Sequence, residues 1–303
     1  MKNLTLRQFR YFEALAEHGH FGRAAEASAI SQPALSVQIK DMEETLGVPL
    51  FERDARQVRL TGFGETIASR VRGILQAVDE LGDLARAEGR LAGRLRLGVI
   101  PTIAPYLLPT IISDLTAAYP GLDLHVRETL TSRLISGLRD GRLDAAILAL
   151  PASEPWLFES PLFEEAFLLV RHEDEAARPP PEGEALQDMR LLLLEEGHCF
   201  RDQALAVCNL GASSPREGLD GSSLSTLVQM VGAGLGVTLI PEMAAPLETR
   251  GAAVTATRFG GPEPCRTVGM VWRKTSPLAP QLAEAAEIVR ASAEAMRAAH
   301  AKI

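Results

Sequence analysis

From Leu6 to Leu81 the apolar side chains recur three or four positions apart. Beyond Gly89 that spacing gives way to short apolar runs alternating with helical segments. A period near 3.6 marks helices that bury one stripe, whereas strands alternating with helices indicate βαβ units and a parallel sheet. The chain is therefore read as a helical start joined to an α/β body. At 303 residues it also exceeds what one hydrophobic core ordinarily fills, so more than one domain is expected.

The helical start is punctuated. "TLRQFRYFEALAEHG" offers Thr5 as N-cap and Gly19 as stop, with Leu6, Phe9, Phe12 and Leu15 on one face. "FGRAAEASAI" gives a second short helix whose small residues permit close packing. In "SQPALSVQIKDMEETLG", Ser31 is the N-cap, Pro33 lies in the first turn and Gly47 ends the helix. Leu35, Ile39, Met42 and Leu46 fall within an arc of roughly 60°. Pro33, Ser36, Val37 and Lys40 lie on a different side, short and mostly uncharged, which suits approach to base edges in a major groove. Alone, this would be an ordinary amphipathic helix. The preceding helix and turn complete a helix-turn-helix, however, and "VPLFERDARQVRLTGFGE" follows with Arg53, Arg56 and Arg59 about a tight turn, a wing placed to meet phosphates. Ser31, Gln32, Pro33, Ser36, Gln38 and Lys40 are expected at the DNA, with Arg53 and Arg56 on flanking phosphates.

A net charge of −8 argues against a generally basic binder. Residues 1–60 hold eight Lys or Arg against eight acids, so the excess acid lies entirely beyond them, and any DNA footprint is local to this block. Next, Ile67, Val71, Ile74, Val78 and Leu81 are spaced 4, 3, 4, 3, a seam for a partner's identical helix. The expected organisation is α plus α/β: a winged helix-turn-helix DNA-binding domain (1–61), a linker and dimerisation helix (62–90), and a two-lobed α/β regulatory domain (91–303). Lobe I spans about 91–163 plus 268–303 and lobe II about 164–267, with a cleft between. "VGAGLGV" follows a helix instead of a strand, so it reads as a helix end and not as a dinucleotide loop.

No secretory apolar region or membrane span interrupts the chain, and three cysteines are too few for a secreted disulfide framework, so the cytoplasm is the expected location. His125, His172 and His300 are isolated; no metal site, cofactor or phosphate loop is expected, and no enzyme. Two of the three cysteines lie in "GHCFRDQALAVC". Most intracellular cysteines pack as small hydrophobes, and these two could do only that.

The stretch "FGRAAEASAISQPALSVQIKDMEETLGVPLFERDARQVRLTGFGE" resembles the LysR-type transcriptional regulators, and the order of segments fits that family along the whole chain. "LLLLEEGHCFRDQALAVC" and "VIPTIAPYLLP" resemble its hydrogen-peroxide-sensing members. The resemblance implies a regulatory domain like periplasmic binding proteins and a dimer of dimers on promoter DNA, acting as an activator with RNA polymerase. It implies that Cys199 is the peroxide-reactive thiol and Cys208 its disulfide partner, reduced again by a glutaredoxin or thioredoxin. Thr102 and Thr131 match threonines that hold peroxide; His198, Arg201, Asp202 and Arg266 match groups around the reactive cysteine. Cys265 matches no known role. An alternative is a regulator that binds a small metabolite in the cleft, its cysteines incidental.

The chemistry is consistent with the resemblance. Cys199 precedes a helix with Asp202 in its first turn as a cap; a helix N-terminus lowers a thiol pKa, and His198 or Arg201 would add to that. A thiolate that attacks a peroxide oxygen becomes a sulfenic acid, which condenses with a nearby thiol. If 199–208 is helical, the two Cα atoms are about 13 Å apart, whereas a disulfide needs them within roughly 7 Å. Forming that bond would therefore unwind the helix.

Overall fold

The computed structural model describes residues 4–53, 58–86, 91–179, 189–207, 220–259 and 263–300. The chain divides into two compact units, one built mainly on residues up to Glu88 and one on those from Gly89 onward. Among the described residues no helix is long and apolar enough to cross a membrane.

In the first unit, helix α1 (Leu6–His18) opens on a reciprocal cap. The Thr5 hydroxyl accepts from the Gln8 amide at 3.2 Å, and the Gln8 side chain accepts from the Thr5 amide at 3.0 Å. The helix stops at Gly19, where φ is 58°. Helix α2 (Phe21–Ala27) is capped by His20 Nδ1, and α3 (Gln32–Leu46) by the Ser31 hydroxyl, which accepts from the Ala34 amide at 3.3 Å. Phe12, Leu15, Ala24, Leu35, Ile39 and Met42 close into one core. Strands β1 (Phe51–Arg53) and β2 (Val58–Leu60) pair antiparallel as the wing. The Glu43 carboxylate accepts from the Leu50 and Phe51 amides at 2.8 and 3.2 Å, tying the wing to the end of α3. Helix α4 (Gly62–Arg86) then starts against the Leu50 carbonyl, which a Cβ on Gly64 would approach to 2.2 Å.

The expected dimer seam divides along α4. Val71 is buried with Ala68 and Leu75 in the core of this unit, and Ile67 packs against it. Ile74 and Leu81 are 43% and 67% exposed, and Val78 is half-buried. The helix-turn-helix needs one side of α4 to close its own core, so Ile67 and Val71 are covered within the unit, while Ile74 and Leu81 stay exposed and Val78 half-buried.

The second unit begins with β3 (Gly93–Val99), α5 (Ala104–Ala118), β4 (Leu122–Glu128), α6 (Thr131–Arg139) and β5 (Ala145–Leu150). Here β4, β3 and β5 are parallel, as that order requires. Beyond that parallel part the sheet is mixed. The chain's returning strand β11 (Cys265–Arg273) inserts between β5 and β6 (Leu157–His172) and runs against both. Val268 faces Phe163 and Gly269 faces Pro161, leaving Leu162 as a bulge beside a proline that has no amide to donate. From Phe167 onward β6 exchanges β11 for β9 (Thr238–Pro241) and β10 (Val254–Thr257), both antiparallel. The short β7 (Leu193–Leu194) and β8 (Asp220–Gly221) pair beside α7 (Cys199–Val207) and α8 (Leu224–Gly232). Helix α9 (Ala245–Glu248) follows β9, and α10 (Ala279–His300) closes the chain. Two cores result. One joins Leu97, Val99, Leu107 and Ile147 to Leu282 and Val289 of α10; the other joins Phe167, Leu169, Phe200, Val228 and Leu239. One draws mainly on residues expected in lobe I, the other on residues expected in lobe II.

Candidate functional site

Three helices of the second unit begin around one pocket. Thr102 lies in the turn before α5, Thr131 is the first residue of α6, and Cys199 is the first residue of α7. Ile100, Pro101, Leu130, His198 and Phe200 complete the lining, and the empty space amounts to about 170 Å³. Part of that space is open to solvent, and what is enclosed is a narrow crevice with no room for a metabolite-sized ligand. Helix starts carry unsatisfied N–H groups and partial positive charge, which favour negative charge developing at a sulfur or oxygen placed there.

The two threonines differ. Among the described residues, the buried Thr131 Oγ1 has no hydrogen-bond partner. Thr102 is 2% exposed; its Oγ1 accepts from Arg266 Nη1 at 2.8 Å and its carbonyl from Nη2 at 3.0 Å. With a lone pair engaged by the guanidinium, the Thr102 hydroxyl keeps its hydrogen to donate. Arg266 is itself fully buried, with Nε and Nη2 at 2.9 and 2.8 Å from Glu165 Oε2 and the guanidinium 5.5 Å from the centre of the Phe200 ring. Glu165 Oε1 accepts from the Met243 amide at 2.9 Å. His198 forms a half-buried wall, and desolvation lowers its pKa below the ordinary histidine value, outweighing the opposing pull of Glu195. It is therefore neutral at pH 7. Cys199 is a half-buried free thiol packed against the core of lobe I.

The site thus unites Thr102, Thr131, His198, Cys199 and Arg266, and it excludes two residues expected there. Arg201 Nη1 donates to the Leu194 carbonyl at 2.7 Å and to Asp220 at 3.0 Å, anchoring α7 to the β7–β8 ladder instead of facing the sulfur. Residues two apart on a helix point nearly opposite ways, which is why Arg201 cannot share the direction of Cys199. Asp202 is exposed and does not line the pocket. Cys208 lies outside the described residues. Cys265, exposed at the start of β11, lines a separate groove with Glu242, Arg258 and Arg297. Its neighbour Arg266 projects from the opposite face of the strand. Sequence reasoning missed Glu165. The available signal was the Glu164–Glu165 pair abutting the apolar run "AFLLV", since an acid entering a core strand needs a cation.

Residues 6–65 match the bacterial regulatory helix-turn-helix protein, lysR family, and residues 88–294 match the LysR substrate binding domain. The chain belongs to the LysR family. It is 44% identical over 298 residues to a probable hydrogen peroxide-inducible genes activator of Streptomyces viridosporus, covering 97% of this chain and 95% of the relative. Its fold is similar to that of a full-length cysteine-to-aspartate variant of OxyR from Pseudomonas aeruginosa, at a TM-score of 0.79 and 39% identity with 96% of each chain covered. An H2O2-bound cysteine mutant of OxyR from Corynebacterium glutamicum gives a TM-score of 0.68 at 38% identity, covering 99% of this chain and 96% of that one.

In this LysR-family protein the third helix exposes Gln32, Pro33 and Lys40, with Ser36 and Gln38 half-buried beside them. Ser31 is exposed, and its hydroxyl is engaged in capping the helix. Lys40 Nζ lies 3.7 Å from Glu44, a loose surface pair. Val37 is 55% exposed on the same side, an apolar group of the kind that meets a thymine methyl. Arg53 ends β1, and Arg56 lies outside the described residues.

Proposed function

We propose that this LysR-family protein is a hydrogen-peroxide-responsive activator of transcription in which Cys199 is the sensing thiol. The observation that carries this reading is the convergence of one thiol and two buried threonine hydroxyls on a pocket too small for a metabolite. The names of its relatives support it. The Cys199 sulfur, as thiolate, attacks one peroxide oxygen; a sulfur–oxygen bond forms as the oxygen–oxygen bond breaks. Sulfur is oxidised to a sulfenic acid, and the departing oxygen is reduced and leaves as hydroxide, becoming water on taking a proton. Thr102 and Thr131 orient the peroxide, and the neutral His198 imidazole relays the proton between thiol and leaving oxygen.

Cys208 then displaces water from the sulfenic acid to form the Cys199–Cys208 disulfide. Helix α7 runs to Val207, which places the Val207 Cα about 12 Å from that of Cys199. One further residue shortens this by at most ~3.8 Å, so the two cysteines stay beyond the roughly 7 Å limit unless α7 unwinds. That refolding alters how a dimer of dimers contacts promoter DNA and RNA polymerase. A thioredoxin or glutaredoxin returns the dithiol. At the DNA, Ser31, Gln32, Pro33, Ser36, Gln38 and Lys40 face the groove while Arg53 and Arg56 hold phosphates; Ile74, Val78 and Leu81 supply the dimer contact.

Peptide mapping after a brief peroxide pulse tests the reading. It should find Cys199 joined to Cys208 within one chain. Cys208→Ser should trap a sulfenic acid at Cys199, and Cys199→Ser should abolish the peroxide response. An unmodified Cys199, or a Cys199–Cys265 link, would refute it.

A further inference from the structure

Met243, Glu165, Arg266 and Thr102 form a buried relay that ends at the pocket. The Met243 amide donates to Glu165 Oε1 at 2.9 Å; Glu165 Oε2 takes Arg266 Nε and Nη2; Arg266 Nη1 and Nη2 in turn hold both oxygens of Thr102. Glu165, Arg266 and Thr102 are 1%, 3% and 2% exposed, so water does not compete for these bonds. Thr102 holds two of the guanidinium nitrogens from one side, one of them through a hydroxyl that can rotate, and the Phe200 ring offers a face that leaves rotation within the plane open. Glu165, pinned by a backbone amide, removes that freedom.

We infer that Glu165 is a positioning residue for the peroxide reaction, acting through Arg266 on the direction of the Thr102 hydroxyl. This rests on the reading of Cys199 as the peroxide-reactive thiol. As the oxygen–oxygen bond breaks, negative charge builds on the departing oxygen, and a donor already aimed at it stabilises that charge without reorganising. With Arg266 held by Glu165, the Thr102 oxygen accepts from the guanidinium and its hydrogen is committed to the pocket. Without the carboxylate, only Thr102 and the Phe200 face hold the guanidinium, and the hydroxyl can turn its lone pairs inward, where they repel the developing charge.

The test compares two reagents on full-length protein. Hydrogen peroxide needs a donor for its departing oxygen; iodoacetamide alkylates the same sulfur and expels iodide, which does not. Glu165→Gln removes the charge, and Glu165→Asp keeps it while withdrawing the carboxylate by one methylene. In Glu165→Gln the peroxide rate constant at Cys199 should fall by about tenfold or more, short of the roughly hundredfold that deleting a preorganised donor outright costs. Alkylation should stay near the wild-type rate, and Glu165→Asp should lie between wild type and Glu165→Gln towards peroxide. Should Glu165→Gln fail to fold, Glu165→Asp decides: it must slow peroxide and spare alkylation. Both reagents slowing together would mean a merely structural role, and peroxide rates equal to wild type in the folded variants would mean no role; either overturns the inference. Failure of wild-type Cys199 to react with peroxide would instead overturn the underlying reading, and that result appears before any variant is made.

Discussion

Thr102 and Thr131 should respond oppositely to the same isosteric change. Among the described residues the buried Thr131 hydroxyl oxygen has no hydrogen-bond partner, and an unsatisfied buried polar group costs roughly 1–3 kcal/mol. Thr131→Val replaces that hydroxyl by a methyl of similar size, so the regulatory unit should gain about 1 kcal/mol, at the low end of that range, and melt roughly 2–4 °C higher. Thr102→Val removes the acceptor for an Arg266 N–H within a buried ion pair. Hydrogen bonds to charged groups contribute roughly 1.5–3 kcal/mol, so this variant should lose about 2 kcal/mol. Both should slow peroxide oxidation of Cys199. Trp156 and Trp272 are the protein's two tryptophans and both belong to the unit from Gly89 onward, so their fluorescence during urea unfolding reports that unit alone. A lower unfolding midpoint for Thr131→Val, or an unchanged oxidation rate, would refute the idea that its hydroxyl is held in reserve for a ligand.

Adjacent positions on α4 should also separate. Leu75→Ala empties a site in the winged-helix core and should cost roughly 2–5 kcal/mol with assembly retained; Ile74→Glu should leave that unit folded but dissociate the oligomer in sedimentation. Arg53→Ala should weaken binding to every DNA sequence alike and reduce the salt slope by about one unit, which titrations at several salt concentrations would show. For His198, whose folded pKa is depressed, the unfolded chain takes up the proton first. Stability should therefore fall as pH drops below the ordinary value of 6.5 and level off below the folded pKa. Urea midpoints from pH 8 to pH 5 should show this decline, and His198→Gln should flatten it.

Local punctuation was the most readable part of the sequence. Thr5, Gly19, Ser31 and Gly47 bound their helices because caps and stops act within a few residues. The start of α7 placed Cys199 for the same reason, whereas Thr131 came only from the family resemblance. Strand β6 was legible only from Ala166, since Pro161, Glu164 and Glu165 interrupt its apolar run; its first half is held by a partner strand that follows about a hundred residues later. The mixed sheet had the same cause, because insertion of β11 depends on where the chain returns and not on any local pattern. Arg201 misled by proximity in sequence, being two positions from Cys199 yet on another side of the helix. Glu165 was hidden by distance, 101 positions from the arginine it holds.

Strand β6 has a mechanical consequence. It is hydrogen-bonded to β11 from Leu157 to Ala166 and to β9 and β10 from Phe167 to His172, so a single unbroken ribbon belongs to both lobes. Load placed on one lobe passes along that ribbon into the other, and a clamshell closure would have to shear its ladders. Helix α7 is joined to the rest by a two-residue ladder beside it, the Arg201 anchor and its buried Phe200 and Ala204. Helix α7 begins at the cysteine and lies outside that ribbon. On the proposed reading, oxidation of Cys199 would rework α7 while the ribbon stays paired.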